Sequence, residues 1–512
     1  MLFSSSIFLF LFLPAVLLGF YGLRRLVGFR EARLFLILAS LFFYGYWNPV
    51  YIFLILGSIA ANLWLARAIV GSAESSVPNR RALVCGVLFN LALLGYFKYS
   101  IFIANSFVMF ASGEPLFLQI TLPLAISFFT FQQVAFLVDV YKDPTLLRST
   151  GWESYLLFVT FFPQLIAGPI VHHKALVPQL NEDTLGKVVS STVTLGIGIF
   201  LLGLAKKTLL ADQLGQISGP VFERLASGTD LGAVEAWLGI LVYTFRLYFD
   251  FSAYSDMAFG LGLLFGVILP INFFSPYKAG NINDTWQRWN ITLGNFFGHY
   301  VFRPLGGRKR GHLVTVRNLM VIMLLSGVWH GAGWNYLLWG VMQGLAMGVG
   351  FLWPYAMAAM GLSTWRDHAW YSRCFAIPLT FAFWVLSLVA FRVTDTDDVW
   401  RFYGSLFSLS WADVMEAWAR LGLDVTRIVD AAAGAASFRS SSELHSVLAL
   451  LICFPLVFAA PNVFQFFGVT RNGRIGAAGV SAWQGLWVGV LAALAAAQVI
   501  GGNSNEFIYF AF

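Results

Sequence analysis

Charge is what this chain has least of. Only 11% of its 512 residues are Asp, Glu, Lys or Arg, against about a quarter in an ordinary soluble domain. That scarcity excludes a water-facing surface of normal make-up. Cysteine is rarer still. Cys85, Cys374 and Cys453 lie far apart, in or beside apolar runs, which excludes a disulfide framework and a cysteine metal site. All three read as small buried hydrophobes. There is no P-loop, no GxSxG and no paired Cys/His set, so nothing points to ATP hydrolysis, a serine nucleophile or a bound metal. A cleavable signal peptide is not expected either. The first 23 residues are apolar, but no basic segment precedes them and an Arg cluster follows. They read as a first membrane span.

What fills the chain is apolar. Hydrophobic residues make up 58% of it, with 51 Phe and 18 Trp, and the mean hydropathy is +0.74. A spanning helix needs about 20 apolar residues. Runs that approach this lie near 3–23, 34–48, 50–70, 82–97, 120–141, 154–171, 188–206, 232–250, 253–271, 313–330, 335–353, 374–392, 446–465 and 481–500. Some are short or broken. The expectation is an all-α polytopic membrane protein with about 11 transmembrane helices, plus re-entrant and interfacial helices. The whole of 1–512 forms one integral-membrane domain, and 393–445 is expected to be an external polar loop region.

Charge sets the orientation. Arg24, Arg25, Arg30 and Arg33 follow the first span, so the N-terminus should face outward. Between Asn272 and Asn318 there are seven basic residues (Lys278, Arg288, Arg303, Arg308, Lys309, Arg310 and Arg317) against Asp284 alone. Positive-inside placement explains Arg308-Lys309-Arg310 first. A pocket for a phosphate-bearing donor would explain the others as well.

Three segments hold polar groups that apolar runs seldom carry. His330 closes the run 313–330 inside SGVWHGAG. A helix rising about 1.5 Å per residue would carry it deep into the bilayer, where ionisable groups are costly and usually functional. A neutral imidazole can take the proton of an attacking hydroxyl. Asn290 lies in DTWQRWNITLGNFFGHY (284–300), whose apolar residues recur at three- and four-residue steps and predict one amphipathic helix. Its amide could steady an oxyanion without bringing charge into the bilayer. Asp250 and Asp256, in YFDFSAYSD, need buried partners, which the basic stretch could supply. In FFPQLIAGPIV, Pro163 and Gly168-Pro169 mark a broken or re-entrant segment. His172 and His173 follow it and read as interfacial.

These strings resemble the membrane-bound O-acyltransferase superfamily, and most closely the branch of the integral-membrane subunit of alginate O-acetylation. The resemblance runs through FFPQLIAGPIV, YFDFSAYSDMAFGLGLLFG, INFFSPYKA, RPLGG, RNLMVIMLLSGVWHGAGWNYLLWG and the terminal FIYFAF. It implies a ring of tilted helices around a central funnel, with His330 as the catalytic histidine. Asn290 would position or polarise the acyl carbonyl, and Lys278, Arg288, Trp289, Arg303 and Trp329 would contact the donor. The expected activity is O-acyl transfer, specifically acetyl transfer. The donor substrate is cytosolic acetyl-CoA, with no permanently bound cofactor and no metal. The acceptor is a hydroxyl of an exopolysaccharide or of a periplasmic or membrane-anchored esterase-like partner, at a bacterial inner membrane. Nucleic acid is not an expected partner. The branch reads FWRRWHITLSRFLRDY where this chain reads TWQRWNITLGNFFGHY. Asn290 thus replaces a second family histidine, Gly298-His299 replaces an Arg-Asp pair, and His172 stands where Arg is common. Acylation of a lipid or protein, or a conduit without chemistry, stays open alongside.

Overall fold

A computed structural model describes residues 1–71, 78–111, 120–166, 168–361, 372–420, 442–476 and 479–502. Helices dominate, and no strand occurs among the described residues. Eight helices among them are long and apolar enough to cross a membrane. Ser442–Phe458, at 17 residues, comes close, and so do three others. Phe29–Gly45 and Ile126–Lys142 are 17 residues long, and Ala233–Leu264 is 32 residues long but carries Glu235, Arg246, Asp250 and Asp256.

The N-terminal part is built from α1 (Leu13–Leu26), α2 (Phe29–Gly45), α3 (Val50–Val70), α4 (Arg80–Leu94) and α5 (Ile126–Lys142). Asn79 starts α4 by accepting from the Arg81 and Ala82 amides. The end of α4 passes through a π-helical turn, Gly95–Tyr99, into Ser100–Phe110. Buried polar side chains tie α3, α4 and α5 together. Asn90 Nδ2 donates to Asn62 Oδ1 at 2.7 Å, and Ser58 Oγ donates to Gln133 Oε1 at 3.2 Å. Lipid tails are as apolar as Leu, so such bonds and close packing, not hydrophobic burial, hold membrane helices together.

The centre is formed by α6 (Ser190–Ala205), α7 (Asp212–Ala226) and α8 (Ala233–Leu264). The candidate spans 232–250 and 253–271 are one helix, not two. The polar FDFSAYSD stretch resembles a break between spans, yet its carboxylates are paired inside the helix bundle. Lys206 Nζ lies 2.5 Å from Asp256 Oδ2, and Lys207 Nζ lies 2.7 Å from both Asp212 and Asp250. The partners therefore come from the π turn Lys206–Ala211, not from the basic stretch 272–318.

The segment 284–300 is also not the single helix its periodicity predicts. It splits into α9 (Ile282–Arg288) and α10 (Ile291–Phe297). Asn290 sits at the break with φ of 42°, a left-handed conformation that Asn tolerates better than most residues. Beyond it come α11 (His312–His330), α12 (Trp334–Ala359) and α13 (Ile377–Arg392). The expected loop 393–445 opens with two helices, α14 (Thr396–Phe407) and α15 (Trp411–Arg420), and its stretch 421–441 lies outside the described residues, as does FIYFAF. The last helices are α16 (Ser442–Phe458) and α17 (Ala482–Ile500). Of the cysteines, only Cys453 is buried, while Cys85 and Cys374 are exposed on the helix surface.

Candidate active site

His330 is the last residue of α11, whose 19 residues rise about 27 Å from His312. The helix stops there because Gly331 turns to extended backbone. Its close neighbour is α12, and small residues make the approach possible. A Cβ on Gly327 would collide with the Tyr336 carbonyl, and one on Gly340 would lie 2.7 Å from the Met323 carbonyl. The His330 side chain is 3% exposed. Three rings surround it: Trp329 at 4.8 Å, Trp339 at 5.1 Å and Phe391 at 5.0 Å between centroids, each edge-on. This aromatic box restricts rotation of the imidazole.

Two cavities approach α11 from opposite ends. The first has a volume of 570 Å³ and is lined by Tyr46, Trp47, Lys98, the 122–128 segment, Trp329 and His330, among others. The second has a volume of 440 Å³ and is lined by Gln287, Gly294, Phe297, Arg308, Ser326 and Arg471, among others. Positive-inside placement of Arg24, Arg25, Arg80, Arg81 and Arg308-Lys309-Arg310 makes the first cavity outer and the second inner. Ser326 and His330 lie one helical turn apart, so one face of α11 serves both. An apolar cluster separates them. Phe131 stacks on Phe296 at 4.4 Å and lies 6.0 Å from Trp329, and Leu293, Phe297 and Ile170 complete the partition.

The chain matches the model of the MBOAT, membrane-bound O-acyltransferase family over residues 146–391. It is 38% identical over 434 residues to a peptidoglycan O-acetyltransferase of Helicobacter pylori, covering 80% of each chain. It is 37% identical over 418 residues to a probable alginate O-acetylase AlgI of Pseudomonas putida, again covering 80% of each. A teichoic acid D-alanyltransferase of Streptococcus thermophilus is 28% identical over 300 residues, 54% of this chain and 69% of that one. This chain belongs to the membrane-bound O-acyltransferase family. It is a multi-pass membrane protein and an O-acyltransferase.

Within this acyltransferase the expected site residues do not all converge. His330 and Trp329 line the outer cavity. Asn290 lines neither cavity. It is 2% exposed, and its Nδ2 has no hydrogen-bond partner. Trp289 is packed among rings, 5.0 Å from Phe273 and 5.1 Å from Trp384. Lys278 Nζ donates to the Ala460 carbonyl at 2.7 Å, and burial followed by the neighbouring Arg288 lowers its pKa. Arg288 pairs with Asp284 at 2.8 Å, and Arg303 lies 3.3 Å from His299 Nδ1. None of these three cations lines the inner cavity, where Arg308 and Arg471 stand instead. Arg308 had a topological explanation, and Arg471 sits in a polar turn with no motif, so sequence reasoning passed over both.

Two histidines from separate segments meet in space. His172 and His299 lie 5.9 Å apart by ring centroid, and Tyr300 joins them. His172 Nδ1 is 3.1 Å from the Tyr300 hydroxyl, which donates to Asp139 Oδ2 at 3.0 Å. Burial is the main cause that lowers the pKa of both imidazoles and raises that of the Tyr300 phenol. Neighbouring His173 is buried rather than interfacial, and its Nε2 lies 2.9 Å from Thr150 Oγ1.

Proposed function

We propose that this protein is the membrane subunit of an O-acetylation system in a bacterial inner membrane. Acetyl-CoA enters the inner cavity from the cytosol, with its phosphates toward Arg308 and Arg471 and its acetyl thioester reaching along α11 past the Phe131–Phe296 contact to His330. The acceptor hydroxyl approaches through the outer cavity. It belongs to an exopolysaccharide or to an esterase-like partner transferase that completes delivery. His330 takes the hydroxyl proton as the oxygen attacks the thioester carbonyl. A C–O bond forms, the C–S bond breaks, and the proton passes to the departing CoA thiolate. The buried, unpartnered amide of Asn290 is a donor of the kind an acyl oxygen would satisfy.

The observation that supports this reading best is the place of His330. It is a caged imidazole on the wall of one cavity, one turn from the wall of a second. The relatives named above, all from bacteria, act on surface polymers by their names, which favours an acceptor outside the cytosol. The test is CoA release from acetyl-CoA by purified protein in detergent. Release in wild type and its loss in a folded His330→Ala variant are expected. Equal release by both would sink the assignment of His330. A conduit without chemistry would release no CoA at all.

A further inference from the structure

The end of α11 should be loose. The last four carbonyls of any helix lack intrahelical partners, and the chain beyond is Gly331-Ala332-Gly333, which offers little to hold it. Yet these carbonyls are occupied. The Gly331 amide bonds to the Gly327 carbonyl at 3.3 Å. The Tyr99 hydroxyl donates to the Val328 carbonyl at 2.7 Å. Lys98 Nζ donates to the Trp329 carbonyl at 2.5 Å and to the His330 carbonyl at 3.3 Å. Its ammonium also lies 6.0 Å from the centre of the Trp329 ring.

Both donors come from the π-helical turn Gly95–Tyr99 in the middle of the long apolar helix Arg80–Val108. Single π turns inside α-helices are frequent at functional sites. A lysine in such a helix is expensive unless it is bound. It could have been satisfied anywhere along the bundle. Instead it binds the backbone of His330 itself, at a helix C-terminus where a cation is favoured, and it lines the same outer cavity as His330.

We propose that Lys98 and Tyr99 are positioning residues for His330, clamping the C-terminal turn of α11 so that the imidazole keeps its angle to the outer cavity. This rests on the reading of His330 as the base. The loss should therefore fall on kcat, because the clamp does not touch the inner cavity where the donor is placed.

The test is steady-state CoA release by full-length protein in detergent, for wild type, Lys98→Met, Lys98→Arg and Tyr99→Phe, with folding checked by size-exclusion profile. Lys98→Met should lower kcat about tenfold or more and leave the KM for acetyl-CoA within about twofold, because hydrogen bonds from a charged donor are the stronger class. Lys98→Arg, which keeps the charge and the donors, should retain clearly more activity. Tyr99→Phe, a milder change, should lower kcat about threefold. If Lys98→Met fails to fold, Tyr99→Phe alone decides. Wild-type kcat in these variants, equal loss in Lys98→Arg and Lys98→Met, or a loss confined to KM would overturn the proposal. Turnover that survives His330→Ala would instead overturn the reading of His330 on which it rests.

Discussion

At the scale of single residues, Asn290 shows two demands on one position. Its backbone is left-handed and its amide is buried without a hydrogen-bond partner. Asn meets the first demand at lower cost than most residues. The two can be separated. Asn290→Gly removes the amide and keeps a residue at ease with φ of 42°. It should leave the thermal midpoint in detergent near that of wild type and lower kcat about 100-fold, the usual effect of losing an oxyanion donor. A kcat unchanged in Asn290→Gly would remove Asn290 from the site. The histidine was legible in the sequence because it ended an apolar run at a small-residue break. Asn290 was legible as a departure, but its conformation was not. The apolar periodicity runs on through it, and the break depends on the Ile291 amide bonding to the distant Asn272 carbonyl at 3.0 Å.

Elements are where sequence reading and structure differ most. Asp250 and Asp256 made 232–271 look like two spans, since carboxylates rarely sit inside one. The lysines that neutralise them lie about 50 residues earlier, in a π turn that no periodicity reveals. Lys98 is illegible for a similar reason: it follows the apolar run 82–97 directly, and its partners are carbonyls of a helix far along the chain. The buried network carries a stability prediction. Lys207 bridges Asp212 and Asp250 at 3% side-chain exposure. Lys207→Met would leave two carboxylates uncompensated, costing about 3 kcal/mol or more. Its thermal midpoint in detergent should fall well below wild type, and most of the loss should return in the triple variant that also carries Asp212→Asn and Asp250→Asn. A stable Lys207→Met protein would mean that the pairs contribute little.

For the whole molecule, two cavities lie along one helix with an apolar cluster beside them, and positive-inside placement puts them toward opposite sides of the bilayer. This arrangement suits a donor and an acceptor that never share a compartment. The inner cavity supplies a prediction about the donor. On the proposed reading Arg308 and Arg471 hold the donor phosphates, so the Arg308→Ala, Arg471→Ala double variant should raise the KM for acetyl-CoA about tenfold. Its kcat should change little, since binding lost equally from ground and transition states moves KM alone. An unchanged KM would place the donor elsewhere. The all-helical membrane architecture was legible from composition and run length, because the bilayer leaves few alternatives. The cavities were not, since each is assembled from helices far apart in sequence.

The most direct test of the central claim is a single-turnover experiment with radiolabelled acetyl-CoA, purified protein and a hydroxyl acceptor, comparing wild type with His330→Ala. The expected result is release of CoA with label on the acceptor for wild type, and neither for a variant that elutes as a folded protein. Label transfer at the wild-type rate by His330→Ala would contradict the account, because the imidazole at the end of α11 would then not be the base.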